Sequence, residues 1–308
     1  MFLRPIKFFP EKTNVDFVAK RWWAFGVTTM LIVITLIALF TKGLNLGIDF
    51  RGGILVEAKA PQAADIGALR NDLGTLKLGE IELQQFGSPN DILIRIQRQE
   101  GDEAAQMKAV QSVRDKLGTS YEYRRVEVVG PTVGDELLNA GITATVLAVL
   151  AIALYVGIRF EWQFGLAALI ATFHDVFTTV GLYAVLGLDF NLTAVAALLT
   201  LAGYSINDTV VIFDRIREML RRHKATDLGV IINEAVNETL SRTVMTGGTT
   251  LIALLPLLLI GGPTLINFSA ALTWGIFVGT YSSIYVAASL MLYMPPLRRI
   301  EAAKKAEK

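Results

Sequence analysis

Residues 203–218, GYSINDTVVIFDRIRE, decide the fold because they join the end of a long apolar run to a charged, helical stretch. Asp208 lies between these halves, with apolar chain on both sides. An ionised carboxylate at membrane depth costs about 2.5–3.5 kcal/mol on insertion scales, so such a residue is a functional candidate by default. The stretch therefore predicts a membrane-spanning helix that carries a functional acidic group.

The composition of the chain is that of a membrane protein. Its 308 residues are 53% hydrophobic, with a mean hydropathy of +0.48, and the apolar residues come in blocks. A net charge of +1 gives no basic field that would attract nucleic acid. The absence of Cys and the presence of only two His, His174 and His223, exclude thiolate chemistry and a multi-His metal site. No P-loop motif is present, and we expect no metal, no cofactor and no enzymatic activity.

Six apolar runs have the length of membrane-spanning helices. They are predicted at 22–40, 137–158, 164–188, 192–213, 241–260 and 266–294. Polar tails are predicted at 1–21 and 295–308, and a hydrophilic amphipathic helix or loop at 214–240. The chain is therefore expected to be an α-helical membrane protein with one large insert, residues 41–136.

The insert has the pattern of a small α+β domain. Alternating runs predict strands at 54–58, 81–86, 92–96 and 121–129, with a turn at 88–91. Helical spacing predicts helices at 61–76 and 103–117. The order β-α-β-β-α-β favours a ferredoxin-like sheet with both helices on one face. The cluster GPTVG at 130–134 is expected to break this pattern and to return the chain to the membrane.

The distribution of Lys and Arg predicts the orientation. With six spans, both termini lie on one side, and the short segments of that side carry 17 Lys and Arg residues. The short loops of the other side, near 187–191 and 261–267, carry none. By the positive-inside rule the termini are cytoplasmic, and the insert, which is long enough to be exempt, is extracytoplasmic.

Three spans carry polar stripes. Asp175 follows His174 in the third span, Asp208 lies in the fourth, and Arg242 begins the fifth. The stripes continue through neighbouring hydroxyl side chains, which are Thr178 and Thr179, Thr200 and Tyr204, and Thr246, Thr249 and Thr250. Polar groups at this depth must find partners inside the protein, so we expect the stripes to face each other.

Two interpretations of these stripes remain open. In a proton relay, burial disfavours the charged form of a carboxyl while a nearby Arg favours it, so movement of the Arg would load and unload a proton. In a static bundle, Asp208 and Arg242 would form a pair that holds two helices together. Arg242 could equally be an interfacial anchor, and Asp175 with His174 a helix–helix hydrogen bond.

Other motifs favour structural roles. Residues 47–53, GIDFRGG, precede a strand rather than a helix, which favours a turn at the domain entrance over a phosphate site. The basic helix from Asp214 onward favours an orientation-setting, lipid-facing segment over a specific partner site. Ser205 has no candidate base beside it, which argues against serine protease chemistry.

Several blocks together resemble the SecD/SecF family of export proteins. They are residues 47–53, 130–137, 173–176, 203–218 and 240–246, and the resemblance covers about 46–296. The motif residues on which it rests include Gly47, Asp49, Phe50, Arg51, Gly52, Gly53, Gly203, Asn207, Asp214 and Arg215.

The resemblance implies a multi-pass subunit of the Sec machinery in the bacterial inner membrane. It implies one half of a resistance-nodulation-division (RND) bundle, completed by a SecD partner, with a periplasmic domain. Family members are thought to use the proton-motive force to draw preproteins out of the SecYEG channel. Carried over by motif, Asp208 and Arg242 match the residues implicated in proton use, and Asp175 matches a further polar position.

Three other function classes remain as alternatives. A proton-coupled RND-type solute transporter subunit would need a ligand pocket, for which an insert of this size offers little room. An intramembrane aspartyl protease would use Asp175 and Asp208, but these lie at different depths and no Gly-x-Gly-Asp sequence is present. A passive scaffold for the export channel would need no gradient.

Overall fold

The computed structural model describes residues 13–223 and 226–295, apart from the side chains of 131–132 and 262–264. In chain order the elements are α1 (Arg21–Thr41), β1 (Asn45–Leu46), α2 (Ile48–Arg51), β2 (Gly53–Lys59), α3 (Ile66–Gly74), β3 (Ile81–Phe86), β4 (Ser88–Ile96), α4 (Glu103–Leu117), β5 (Glu122–Val129), α5 (Pro131–Arg159), α6 (Trp162–Leu186), β6 (Asp189–Phe190), α7 (Leu192–Arg222), α8 (Leu228–Ile260) and α9 (Gly262–Tyr281). A π-helical turn, Ser282–Ala287, and a short helix α10, Ala288–Leu290, continue α9.

Six helices of the described chain are long and apolar enough to cross a membrane, which confirms the predicted number. They are α1, α5, α6, α7, α8 and α9 with its continuation. Of their most apolar stretches, 50% of α6, 50% of α7 and 61% of α9 are buried, against 17% for each of α1, α5 and α8. The helices α6, α7 and α9 therefore form the centre of the bundle. The helices α1, α5 and α8 turn apolar surface outward, as membrane helices do toward lipid.

Small residues allow the helices to approach closely. A Cβ atom added to Gly165 of α6 would lie 2.8 Å from the Gly157 Cα of α5, so these backbones are in direct contact. A Cβ atom at Gly275 of α9 would likewise overlap Leu201 of α7. Close backbone approach at glycine is the usual basis of helix association in membranes, where burial of apolar surface gives no driving force.

The insert forms a four-stranded antiparallel sheet in the order β3-β4-β2-β5. Alternate residues of β2 and β4, such as Ile54, Val56, Ile92 and Ile94, point into one core. Leu69 of α3 and the Ala109–Val110 pair of α4 pack into the same core. The strand order and the position of both helices are compatible with the ferredoxin-like arrangement, which we retain as an interpretation.

Two local predictions for the insert were wrong. The helix predicted over 61–76 begins only at Ile66, because Asp65 caps it by accepting from the Gly67 and Ala68 amides. The residues 88–91 form the start of β4 rather than a turn, since the chain reverses at Gly87, whose φ is +67°.

The chain around the predicted segment 214–240 also differs from expectation. It is not a separate element, because α7 continues to Arg222 and α8 begins at Leu228. Arg215 pairs with Glu218 within α7 and with Glu238 of α8, and Arg222 pairs with Glu218 at 2.6 Å. Such pairs three and four residues apart support a helix that has left the apolar layer.

The two chain ends fall largely outside the described residues. Residues 1–12 and 296–308, which include most of the predicted tails, belong to this part. The adjoining residues 13–20 lie against α8, where the Asn237 and Asn233 side chains accept hydrogen bonds from the Val15 and Phe17 amides. The helix α5 begins directly after Gly130, so the predicted break at 130–134 is a helix start with proline in its first turn.

Candidate functional site

The helix α7 positions the candidate carboxyl. Asn191 caps its first turn by accepting from the Ala194 amide, and the helix then runs without interruption past Asp208. Asp208 is 16 residues beyond Leu192, or about 24 Å along the axis. Its side chain is buried, with 3% of the residue exposed, so the carboxyl lies inside the bundle.

Asp175 of α6 is the centre of a buried polar cluster. Its Oδ2 atom accepts hydrogen bonds from the hydroxyls of Ser205 on α7, at 2.5 Å, and Ser282 in the π-helical turn, at 2.7 Å. Its Oδ1 atom is 2.9 Å from His174 Nδ1. The residue is fully buried, so these bonds replace the hydration that the carboxyl loses.

A second pair of hydroxyls lies beside this cluster. Ser283 Oγ and Thr209 Oγ1 are 2.8 Å apart, and both residues are buried. The π-helical turn makes this possible because its wider winding presents two consecutive serines, Ser282 and Ser283, to α6 and α7. Polar groups therefore run from His174 through Asp175 to Thr209, the neighbour of Asp208 in the chain.

Asp208 itself has different surroundings. Among the described residues its carboxyl makes no hydrogen bond and no ion pair, although Arg242 is near enough for a Coulombic interaction. Arg242 is exposed on α8, and its side chain likewise has no ion-pair partner in the described chain. The static Asp208–Arg242 pair, one of the two interpretations left open above, is therefore not formed among the described residues.

The predicted stripes meet only in part. α7 and α8 are joined by a hydrogen bond of 3.3 Å from Tyr204 to Thr250. Thr178 and Thr179 donate to the backbone carbonyl of Asp175 within their own helix, and Thr200 is exposed. Asp175 meets α7 at Ser205, about one helical turn before Asp208, and forms its hydrogen bond with that turn.

Sequence reasoning missed the hydroxyl partners. Ser205 was considered only as a nucleophile, and Ser282, Ser283 and Thr209 were not singled out. The one available signal is the adjacent serine pair in the last apolar span, because polar residues at that depth require partners. The π-helical turn that orients them has no signature in the sequence.

The other motif residues lie on α7 or in the segment 47–53. Gly203, Asn207 and Asp214 are exposed on α7, and Arg215 belongs to the ion-pair group described above. Residues 47–53 lie at the insert end of the bundle, where Phe50 is buried against Phe190 with ring centroids 5.9 Å apart. The described residues contain no group of three or more His, Asp or Glu side chains that could hold a metal ion.

Two family models match the sequence. The model described as protein export membrane protein SecD/SecF, C-terminal, matches residues 109–296, which is more than half of the chain. The SecD/SecF GG motif matches residues 37–64, which include Gly52 and Gly53. The chain belongs to the SecD/SecF family.

Relatives in the SecD/SecF family match over almost the whole length. A protein translocase subunit SecF from Magnetococcus marinus is 45% identical over 305 residues, with 97% of this chain and 98% of the relative covered. A protein translocase subunit SecF from Rhodobacter capsulatus is 43% identical over 304 residues, with 94% and 91% covered.

Solved SecDF structures share the fold. The crystal structure of SecDF from Thermus thermophilus, a translocon-associated membrane protein, is 34% identical and superposes with a TM-score of 0.84 over 94% of this chain. A SecDF structure in a super-membrane-facing form is 33% identical, with a TM-score of 0.69 over 99%. The chain spans only 39% and 42% of those longer chains.

Proposed function

We propose that this chain is an auxiliary subunit of the bacterial Sec translocase that, with SecD, uses the proton-motive force to promote late preprotein export. The observation that carries the proposal is the Asp208 carboxyl, buried in the bundle of a SecD/SecF-family chain and without a hydrogen-bond partner among the described residues. A buried carboxyl whose charge is uncompensated by contacts can change its protonation state at little structural cost.

The proposed orientation in the membrane is supported by the distribution of charge. The chain lies in the inner membrane with its termini in the cytoplasm and its insert in the periplasm. Lys and Arg concentrated on the side of the termini support this orientation. The ion pairs of Arg215 with Glu218 and Glu238 would then lie at the cytoplasmic surface and hold Asp208 at its depth.

In the proposed relay, a proton reaches Asp208 from one side of the membrane and leaves toward the other. Arg242 favours the ionised state when it approaches, and its withdrawal favours protonation. Asp175 contributes through the hydroxyl of Ser205, which links it to the turn of α7 before Asp208, and through the hydroxyl of Ser282 in the π-helical turn. The Ser283–Thr209 pair extends the same chain of donors and acceptors.

SecD is the proposed partner that completes the bundle. The face of α7 that carries Thr200, Gly203 and Asn207 is exposed, as is Arg242 on α8. Small and polar side chains exposed at membrane depth are typical of a helix interface rather than of a lipid-facing surface. The SecDF chains, of which this chain spans about two fifths, support a partner of comparable size.

The energy of the gradient is of the required size. Each elementary charge that crosses 100 mV supplies about 2.3 kcal/mol. A shift of a two-state equilibrium from 1:99 to 99:1 needs about 5.5 kcal/mol. Two or three protons would therefore suffice to move the insert between two positions while it acts on a preprotein that emerges from SecYEG.

The test is a release assay on a stalled export intermediate. Inverted membrane vesicles that contain SecYEG and SecD, with or without this chain, are first supplied with ATP, which drives a preprotein part of the way through the channel. A proton gradient is then applied to the stalled intermediate. We expect the gradient-dependent release to require this chain, while the ATP-driven phase does not. Equal release without the chain, or proton-coupled flux of a small solute through the purified complex, would overturn the proposal.

A further inference from the structure

Residues 45–53, here called the junction segment, contact the membrane bundle and the insert at the same time. The segment contains β1, α2 and the first residue of β2. The relay described above does not use it. Its contacts fall into three groups, to α7, to the sheet and to α5.

The contacts to α7 fix the start of that helix. β1 pairs in parallel with β6, the two residues that precede the α7 cap, and the Gly47 amide donates to the Phe190 carbonyl at 2.8 Å. The Asp49 carboxylate accepts from the Leu192 amide at 2.9 Å. Leu192 is the first residue of α7, so a side chain of the junction segment binds a free N–H group of the helix that carries Asp208.

The contacts to the sheet centre on Arg95 of β4. Its guanidinium forms an ion pair with Asp189 of β6 and donates to Asn45 Oδ1 at 3.4 Å. The Asn45 side-chain amide donates in turn to Asp189 Oδ1 at 2.9 Å. Arg95 and Asp189 are 13% and 18% exposed in their side chains, so this group is largely shielded from water.

The contact to α5 leaves no room for a side chain. A Cβ atom added to Gly134 would lie 2.7 Å from the Phe50 carbonyl oxygen. Gly52 and Gly53 have φ angles of +70° and +119°, which side chains rarely adopt, and a Cβ atom at Gly53 would lie 2.7 Å from the Ile96 carbonyl oxygen. The junction segment is therefore packed against the backbone of α5 at Phe50 and against the backbone of β4 at Gly53.

We propose that Asp49 and Arg95 are positioning residues that couple α7 to the sheet, so that a displacement of α7 at Asp208 moves the insert. α7 is continuous from Leu192 to Arg222, and a continuous helix transmits axial and rotational movement to its first turn. Asp49 holds that turn, and Arg95 holds the residues before it. The functional part of this inference rests on the proposed proton-coupled export, whereas the mechanical part does not.

The mechanical part is tested by a distance measurement in the absence of a gradient. The chain has no Cys, so Gln84→Cys in the sheet and Arg221→Cys at the far end of α7, both exposed, provide two unique labelling sites. The full chain in complex with SecD is placed in lipid nanodiscs and labelled with a fluorescent donor and acceptor. We expect a narrow distance distribution for the parent, and a distribution at least twofold wider for Asp49→Ala and for Arg95→Gln.

Matched variants separate this effect from general damage. Asp49→Asn keeps a capping oxygen and should retain the narrow distribution. Arg98→Ala removes a nearby Arg that has no ion pair with the bundle in the described chain, and should also retain it. If the Arg95→Gln variant does not form a complex with SecD, the distance distribution of Asp49→Ala alone tests the coupling. An unchanged width in an assembled Asp49→Ala or Arg95→Gln variant overturns the coupling.

The release assay tests the functional part. We expect Asp49→Ala and Arg95→Gln to lower gradient-dependent release at least fivefold while Asp49→Asn and the ATP-driven phase stay at the parental level. Parental release in Asp49→Ala would contradict the functional part. If the parent itself shows no gradient-dependent release, the proposed function fails, while the distance measurement still decides whether the junction segment couples α7 to the sheet.

Discussion

Asp175 and Asp208 are carboxyls on adjacent helices whose surroundings differ at every atom. Asp175 has two serine hydroxyls and a histidine nitrogen around it, whereas Asp208 has no hydrogen-bond partner among the described residues. The sequence identified both as costly acidic groups in apolar runs. It could not predict the hydrogen-bond partners of either carboxyl, because the rotation of each helix and the hydroxyls on its neighbours decide which carboxyl is compensated.

This difference predicts effects of unequal size on stability for the same substitution at the two positions. Asp175→Asn replaces an acceptor of hydroxyl bonds by an amide and should lower the free energy of unfolding by about 1–3 kcal/mol. Asp208→Asn breaks no bond and should change it by less than about 1 kcal/mol. Denaturation of the reconstituted complex measures both. A loss at Asp208 equal to that at Asp175 would contradict the assigned surroundings.

Glycine at the junction segment gives a second prediction at this scale. Gly53→Ala combines a φ of +119° with a carbonyl oxygen 2.7 Å from the new Cβ, and should destabilise the protein by roughly 1–3 kcal/mol. Gly26→Ala in α1 is the matched control, because nothing lies within 4 Å of its added Cβ. Thermal unfolding measures both variants. Equal unfolding temperatures for Gly53→Ala and Gly26→Ala would contradict the prediction.

At the scale of elements, the six membrane helices were predictable because hydropathy and length alone specify them. Their ends were less so. α7 extends to Arg222 because charge pairs support the helix beyond the apolar layer, and the hydropathy pattern ends earlier. The π-helical turn, Ser282–Ala287, was not predictable, since it reflects the fit of one helix against two others.

The π-helical turn predicts unequal roles for the serines of the last helix. Ser282→Ala and Ser283→Ala each remove a buried interhelical bond and should cost about 0.5–1.5 kcal/mol. Ser289→Ala is the control, since Ser289 is equally buried but makes no side-chain hydrogen bond in the described chain. If Ser289→Ala lowered the free energy of unfolding as much as Ser282→Ala and Ser283→Ala do, the result would argue against the π-helical geometry.

At the scale of the whole molecule, the chain is a half bundle with an inserted sheet. This architecture was predictable because the membrane spans, the polar insert and the asymmetric distribution of Lys and Arg can be recognised from the local composition of the sequence. The contacts between the bundle and the insert were missed: residues 47–53 were interpreted as a turn, and Asp49, Arg95 and Asp189 are far apart in sequence. Only the folded chain shows that the turn binds the first residue of α7.

The proposed orientation is tested by the side from which labels react. In intact cells, a membrane-impermeant thiol reagent should modify Gln84→Cys, in the insert, and should not modify Arg221→Cys until the membrane is opened. The positive-inside distribution is the reason. The parent, which has no Cys, is the background control. The reverse pattern of labelling would invert the assigned topology.

In the proposed mechanism, Asp208 is the group that couples the proton gradient to export. The measurement that tests this most directly is gradient-dependent preprotein release by complexes that carry Asp208→Asn, with Glu234→Gln, an exposed carboxyl on α8, as the matched control. We predict a loss of at least tenfold for Asp208→Asn, with SecD association and the ATP-driven phase unchanged, and parental release for Glu234→Gln. Full gradient-dependent release by an intact Asp208→Asn complex would contradict the account.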